Sequence, residues 1–139
     1  DGSACTACAA GRFKPAPGAA ACTSCAAGKF KTETGQVGDT CDTCPAFSSS
    51  EAGSATCKCN AGYTGPDGSA CTACAAGRFK PAPGAAACTS CAAGKFKTET
   101  GQVGDTCDTC PAFSSSEAGS ATCKCNAGYT GPDGSACTA

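Results

Sequence analysis

The chain has 139 residues, a formal net charge of −1 and 17 cysteines; alanine and cysteine supply most of its 41% hydrophobic share, beside six Phe, two Tyr, no Met and no Trp. Alanine offers little apolar area, and burial yields only about 25 cal/mol per Å², so this composition excludes a large packed core and favours a disulfide framework. The absence of histidine excludes Ser–His and Cys–His nucleophiles, and the near-zero charge excludes a long-range field that would gather polyanions.

Along the chain, residues 1–66 recur without a change as 67–132, and residues 133–139 restate 1–7. These are read as one cysteine-rich repeat, its identical successor and the start of a third, so the chain is expected to be an excerpt of a longer periodic molecule. Identity this complete points to recent duplication, to design, or to one sequence shared by equivalent positions of a symmetric assembly. Each repeat contains three related units, "CTACAAGRFK" from Cys5, "CTSCAAGKFK" from Cys22 and "CDTCPAFSSS" from Cys41; the third runs on to Cys57-Lys58-Cys59 and "NAGYTGPDGSA".

Gly, Pro, Ser and Thr interrupt every few residues, so no window sustains a helix and short hairpins are predicted. The expected fold is small and disulfide-rich: short β-hairpin modules stacked into an elongated rod or solenoid, with almost no helix. In "GRFK" and "GKFK" the period of two sets Phe13 and Phe30 on one face and Arg12, Lys14, Lys29 and Lys31 on the other. Phe47 and Tyr63 complete the aromatic set, repeated as Phe79, Phe96, Phe113 and Tyr129; all eight are assigned to cover disulfides at module junctions. "GPDG" at Gly65–Gly68 reads as a turn.

Eight cysteines per repeat permit many pairings. Joining the second cysteine of each pair to the first of the next gives nearly equal loops: Cys8–Cys22, Cys25–Cys41, Cys44–Cys57 and Cys59–Cys71, then Cys74–Cys88, Cys91–Cys107, Cys110–Cys123 and Cys125–Cys137. Cys5 is left over, and would bond the counterpart of Cys59 in a preceding unit. A crossed arrangement, Cys25–Cys44 with Cys41–Cys57, is the alternative for the third unit. Paired Cys-x-x-Cys motifs also suit a four-thiolate zinc site, but they recur too often here and no histidine accompanies them, so disulfides, with no metal or cofactor, are expected. Such density implies an oxidising, extracellular or cell-surface setting.

At "CKCNAGYTGPDGSAC" the order Cys57-x-Cys59, Gly62-Tyr63, Gly65 and Cys71 resembles the closing half of an epidermal growth factor-like module. The tandem "CxxCxxGxF" units ending in Cys-x-Cys are similar to the ephrin-receptor-like cysteine-rich repeats found in large extracellular proteins of algae and protists. The resemblance implies a scaffold: a stalk, adhesin or filament with no reaction of its own. The acidic cluster that precedes calcium-binding growth factor-like modules has no counterpart.

Each repeat holds five basic and five acidic residues, a balance that suits lateral packing and gives no reason to expect nucleic acid. Fourteen Ser and Thr per repeat offer sites for covalent O-linked glycans, foremost Thr32, Thr34, Ser48, Ser49 and Ser50. No apolar run reaches the length of a membrane span. The function expected is therefore non-enzymatic: a structural component of an extracellular filament or surface appendage whose partner is itself, continued along the array or packed beside another copy. A receptor or adhesin stalk that binds a protein or glycan, and a designed consensus-repeat protein, are the alternatives.

Overall fold

The computed structural model describes residues 4–139. The start of the first repeat, residues 1–3, lies outside the described residues.

A four-residue turn follows the second cysteine of every pair. Its fourth residue donates a backbone N–H to the first residue's carbonyl: Arg12 to Ala9 at 3.1 Å, Lys29 to Ala26 at 3.0 Å, Ser48 to Pro45 at 3.2 Å and Tyr63 to Asn60 at 3.1 Å. The third position has positive φ, 81° at Gly11, 80° at Gly28 and 80° at Gly62, which glycine adopts without a Cβ penalty. In the third turn that position is Phe47, at φ 59°, and its copy Phe113 is at 58°. An L-residue held there costs about 1–2 kcal/mol.

Each turn opens a two-residue strand that pairs with the two residues before the next turn's cysteine, or that include it. The strands are β1 (Arg12–Phe13), β2 (Thr23–Ser24), β3 (Lys29–Phe30), β4 (Asp42–Thr43), β5 (Ser48–Ser49), β6 (Lys58–Cys59), β7 (Tyr63–Thr64) and β8 (Thr72–Ala73). The second copy continues with β9 (Arg78–Phe79), β10 (Thr89–Ser90), β11 (Lys95–Phe96), β12 (Asp108–Thr109), β13 (Ser114–Ser115) and β14 (Lys124–Cys125). Consecutive strands pair antiparallel, as in Arg12 opposite Ser24 and Ser48 opposite Cys59. An eighth hairpin is reduced to the antiparallel bridge Thr130 to Thr138. Each full repeat thus makes four hairpins. The segment after Cys59, read with the third unit in the sequence, is a module of its own.

One disulfide closes each hairpin. The pairs are Cys8–Cys22, Cys25–Cys41, Cys44–Cys57, Cys59–Cys71, Cys74–Cys88, Cys91–Cys107, Cys110–Cys123 and Cys125–Cys137, consecutive along the chain and 12 to 16 residues apart in sequence. A loop of this length is stabilised by roughly 3 kcal/mol when cross-linked, which a two-residue ladder alone does not supply. Sulfur is the core: the largest fully buried side chains are Cys25, Cys57, Cys59, Cys74, Cys91 and Cys123.

Two compact units result. The first takes the chain up to Cys59 with Pro66–Cys71, and the second takes Asn60–Gly65 and Thr72–Ala139. Within the first unit, successive hairpins are joined by backbone groups. Gly11 N–H donates to the Lys31 carbonyl at 2.7 Å, and Gly35 N–H donates back to the Cys8 carbonyl at 2.8 Å. The same pair of bonds recurs one hairpin later, Gly28 to Ser50 at 3.0 Å and Gly53 to Cys25 at 2.8 Å. Within the second unit the pattern is repeated by Gly77 to Lys97 and Gly101 to Cys74, both 2.8 Å, then by Gly94 to Ser116 at 3.0 Å and Gly119 to Cys91 at 2.8 Å. The approach is close enough that a Cβ on Gly11 would overlap the Gly53 carbonyl, and one on Gly77 the Gly119 carbonyl.

The turn expected at Gly65–Gly68 lies one residue later, where Ser69 N–H donates to the Pro66 carbonyl at 3.3 Å with Gly68 at φ 82°. Glycine at the third position decides the register of this turn, as in the hairpin turns.

Candidate functional site

Among the described residues no group of three or more His, Cys, Asp or Glu side chains could hold a metal ion, and no helix is long and apolar enough to cross a membrane. The features with chemistry are the cystines, the lysines beside the strands, the aromatic rings and the hydroxyl-rich loops. Sixteen of the seventeen cysteines form the eight bonds above, while Cys5 is a free, exposed thiol. Its copies Cys71 and Cys137 are both bonded.

The aromatic residues divide into two kinds. Phe13, Phe30, Phe79 and Phe96 end the first strand of their hairpins and are half-buried, opposite Thr23, Asp42, Thr89 and Asp108. Phe47 and Phe113 are 54% and 52% exposed. They occupy the third turn position, where glycine stands in the other hairpins. Tyr63 and Tyr129 follow the turn glycine; Tyr63 is half-buried, and Tyr129 is 36% exposed with its ring stacked on Phe113, centroids 4.4 Å apart and planes 5° from parallel.

The lysines beside the strands are less solvated than strand alternation implies. Lys80 is only 3% exposed, its ammonium donating to the Tyr63 carbonyl at 2.9 Å and to the Gly84 carbonyl within its own loop. The "KPAPG" loop folds back over the side chain, a path that strand alternation does not encode. Lys31 and Lys97 are half-buried and each faces two carboxylates: Glu33 and Asp42 at 3.6 and 3.5 Å, Glu99 and Asp108 at 3.7 and 3.4 Å. Those carboxylates are exposed, so solvent screens each pair. The Glu33 carboxyl is held below the usual carboxylate range, mainly by a backbone N–H that outweighs desolvation, with the Lys31 ammonium and Thr32 hydroxyl adding smaller contributions.

The hydroxyls singled out for glycans are not equivalent. Thr32 and Thr34 are exposed beside Glu33, and Ser49 is exposed on β5. Ser48 is half-buried and donates to the Pro45 carbonyl at 2.7 Å, whereas Ser50 donates across hairpins to the Lys29 carbonyl at 2.8 Å. The Ser116 hydroxyl makes the equivalent bond to Lys95 at 2.7 Å.

Sequence reasoning did not find a polar groove of about 380 Å³ on the seventh hairpin, lined by Ser115, Ser116, Glu117, Ser120, Thr122 and Lys124. Small-ligand sites span roughly 300–1,000 Å³. The signal available was the run of serines ahead of a glutamate.

The chain matches no protein-family model and no curated protein. The disulfides and hairpins define a cysteine-rich repeat protein, and a chain of 139 residues with eight disulfides belongs to the extracellular or secreted, disulfide-rich class.

Proposed function

We infer that the chain is a structural array of an extracellular filament or surface appendage, similar in kind to the ephrin-receptor-like and growth factor-like repeats it resembles. One observation carries this reading: the hydrogen-bond pair that joins one hairpin to the next is used again, with the same partners, in the second copy, as Gly11 to Lys31 with Gly35 to Cys8, and Gly77 to Lys97 with Gly101 to Cys74. A joint made of main-chain groups can be reiterated as often as the hairpin is, which is the logic of a solenoid. Its neutral repeats accumulate no repulsion as copies are added or lie side by side. Its role is to space and to polymerise, with no catalysis; exposed Thr32 and Thr34 are the O-glycan acceptors.

In such an array Cys5 bonds the Cys59 counterpart of the preceding repeat, as Cys71 bonds Cys59. Electron microscopy of intact material, with and without reductant, tests the reading. A filament with an axial repeat of one 66-residue unit that collapses on reduction is the expected result. Discrete particles of fixed length would overturn it and favour an anchored receptor or adhesin stalk.

A further inference from the structure

We propose that the groove on the seventh hairpin, with the Phe113–Tyr129 stack beside its strand, is a binding site for a neutral saccharide chain. The acceptor and donor census of the groove points to that ligand. Three of its hydroxyl protons are already committed: Ser115 donates to Asn126 Oδ1, Ser116 to the Lys95 carbonyl and Ser120 to the Glu117 carbonyl, each at 2.7 Å. Their oxygens keep lone pairs that can only accept, in a groove lined as well by the Glu117 carboxylate. A ligand that fills it must bring many donors, as a polyol does.

Charge narrows the choice. Lys124 lines the same groove and balances Glu117, so neither a bare cation nor a polyanion is favoured. Lys124 also supplies a donor for a ring or hydroxyl oxygen, which matches the mixed character of a hexose. No cluster of acidic side chains competes for the site as a metal centre among the described residues.

The second, independent observation is the turn itself. The third turn position is glycine in six hairpins, Gly11, Gly28, Gly62, Gly77, Gly94 and Gly128, and phenylalanine in two, at φ 59° and 58°, where the ring stays half in solvent. A strained residue that buries little is a feature to be explained by what it touches. Phe113 immediately precedes β13, the strand whose Ser115 enters the groove, and its flat stack with Tyr129 offers π-surface to the C–H face of a sugar ring. The first copy carries the same residues, Ser49, Ser50, Glu51, Ser54, Thr56 and Lys58 after Phe47, and repeats the bonds from Ser50 to Lys29 and from Ser54 to Glu51. This inference is independent of whether the chain polymerises.

Saturation-transfer NMR on the oxidised full chain, with cellohexaose, maltohexaose and mannohexaose as neutral probes and an oligogalacturonate hexamer as the charged one, tests it. At least one neutral hexamer is expected to show transfer at up to about 10 mM and the charged one to bind more weakly. The F47G/F113G variant restores the residue found in the other turns, relieving the left-handed strain while losing the ring stack, so the fold is expected to be retained with a small shift in thermal unfolding while affinity falls about tenfold. E51Q/E117Q is expected to weaken the same probe. No transfer from any neutral hexamer, stronger binding of the galacturonate, or binding indifferent to both variants would overturn the proposal.

Discussion

The two copies of the repeat carry the same side chains, and they differ in which hairpin stands before them. Lys14 is half-buried and reaches only the Gly18 carbonyl of its own loop, whereas Lys80 is almost fully buried because the hairpin ahead of it adds the Tyr63 carbonyl as acceptor and the Gly62 N–H as donor to the Lys80 carbonyl at 2.9 Å. Val37 is 69% exposed; Val103, which a Cβ on Gly62 would contact at 3.4 Å, is 51% exposed. Burial in this fold is conferred by the neighbour more than by a hairpin's own residues. A repeat of this kind has no private core, and its stability is a sum of closed loops and joints.

Deleting a cystine is the largest perturbation and should erase the difference between copies. C25A/C41A and C91A/C107A remove equivalent bonds flanked on both sides, so both are expected to lose about 3 kcal/mol, equal within a few tenths, by denaturant unfolding. Unequal losses would mean that the joints differ in ways the shared geometry does not express.

Glycine substitution should sharpen the contrast. A Cβ on Gly62 meets the Gly101 carbonyl at 2.6 Å, while one on Gly128 meets nothing within 4 Å, although both residues have positive φ. G128A is expected to cost about 1 kcal/mol of backbone strain, and G62A about 1–3 kcal/mol more. Hydrogen exchange at the residue-62 amide, which donates to the Lys80 carbonyl, and at the Gly101 amide, which donates to the Cys74 carbonyl beside the clash, reads the joint: faster exchange in G62A and no change in G128A is the expected pattern.

The lysines give a smaller effect. K80M leaves two carbonyls without their ammonium donor and is expected to cost about 1–3 kcal/mol, against a few tenths for K14M in its more open setting. Equal costs would show that the ammonium serves only its own loop. Smallest is the acid limb. The Glu33 carboxyl is depressed in the folded chain, so its contribution is present above the unfolded carboxyl's pKa and is lost as pH falls through the lower folded value. E33Q should flatten stability at the acid end and nowhere else, measured by thermal unfolding between neutral and strongly acidic pH.

The cystine pairing was legible because cysteine spacing is a one-dimensional signal, and Phe13 and Phe30 were legible as strand residues because they alternate with charges. The turn position of Phe47 was missed by matching residue types instead of counting from the cysteine. Phe47 is three residues past Cys44, as Gly28 is past Cys25, whereas Phe30 is five past. The same count sets Tyr63, four past Cys59, level with Lys29 and identifies the fourth hairpin hidden after Cys-x-Cys. The burial of Lys80 and the groove beside Glu117 were not legible by any count, because both depend on where loops return in space.

The cystines also determine how the chain answers a pull on its ends. Each bond shunts tension past its own loop, so the taut path runs only through the short links between Cys22 and Cys25, Cys41 and Cys44, and Cys57 and Cys59. The loops, spanning 14, 16, 13 and 12 positions, stay slack. Reduction would release that hidden length, about 170 Å per repeat at 3.3–3.6 Å per residue. An oxidised array is a tether of nearly fixed contour; the same polypeptide with its thiols restored is an elastic one.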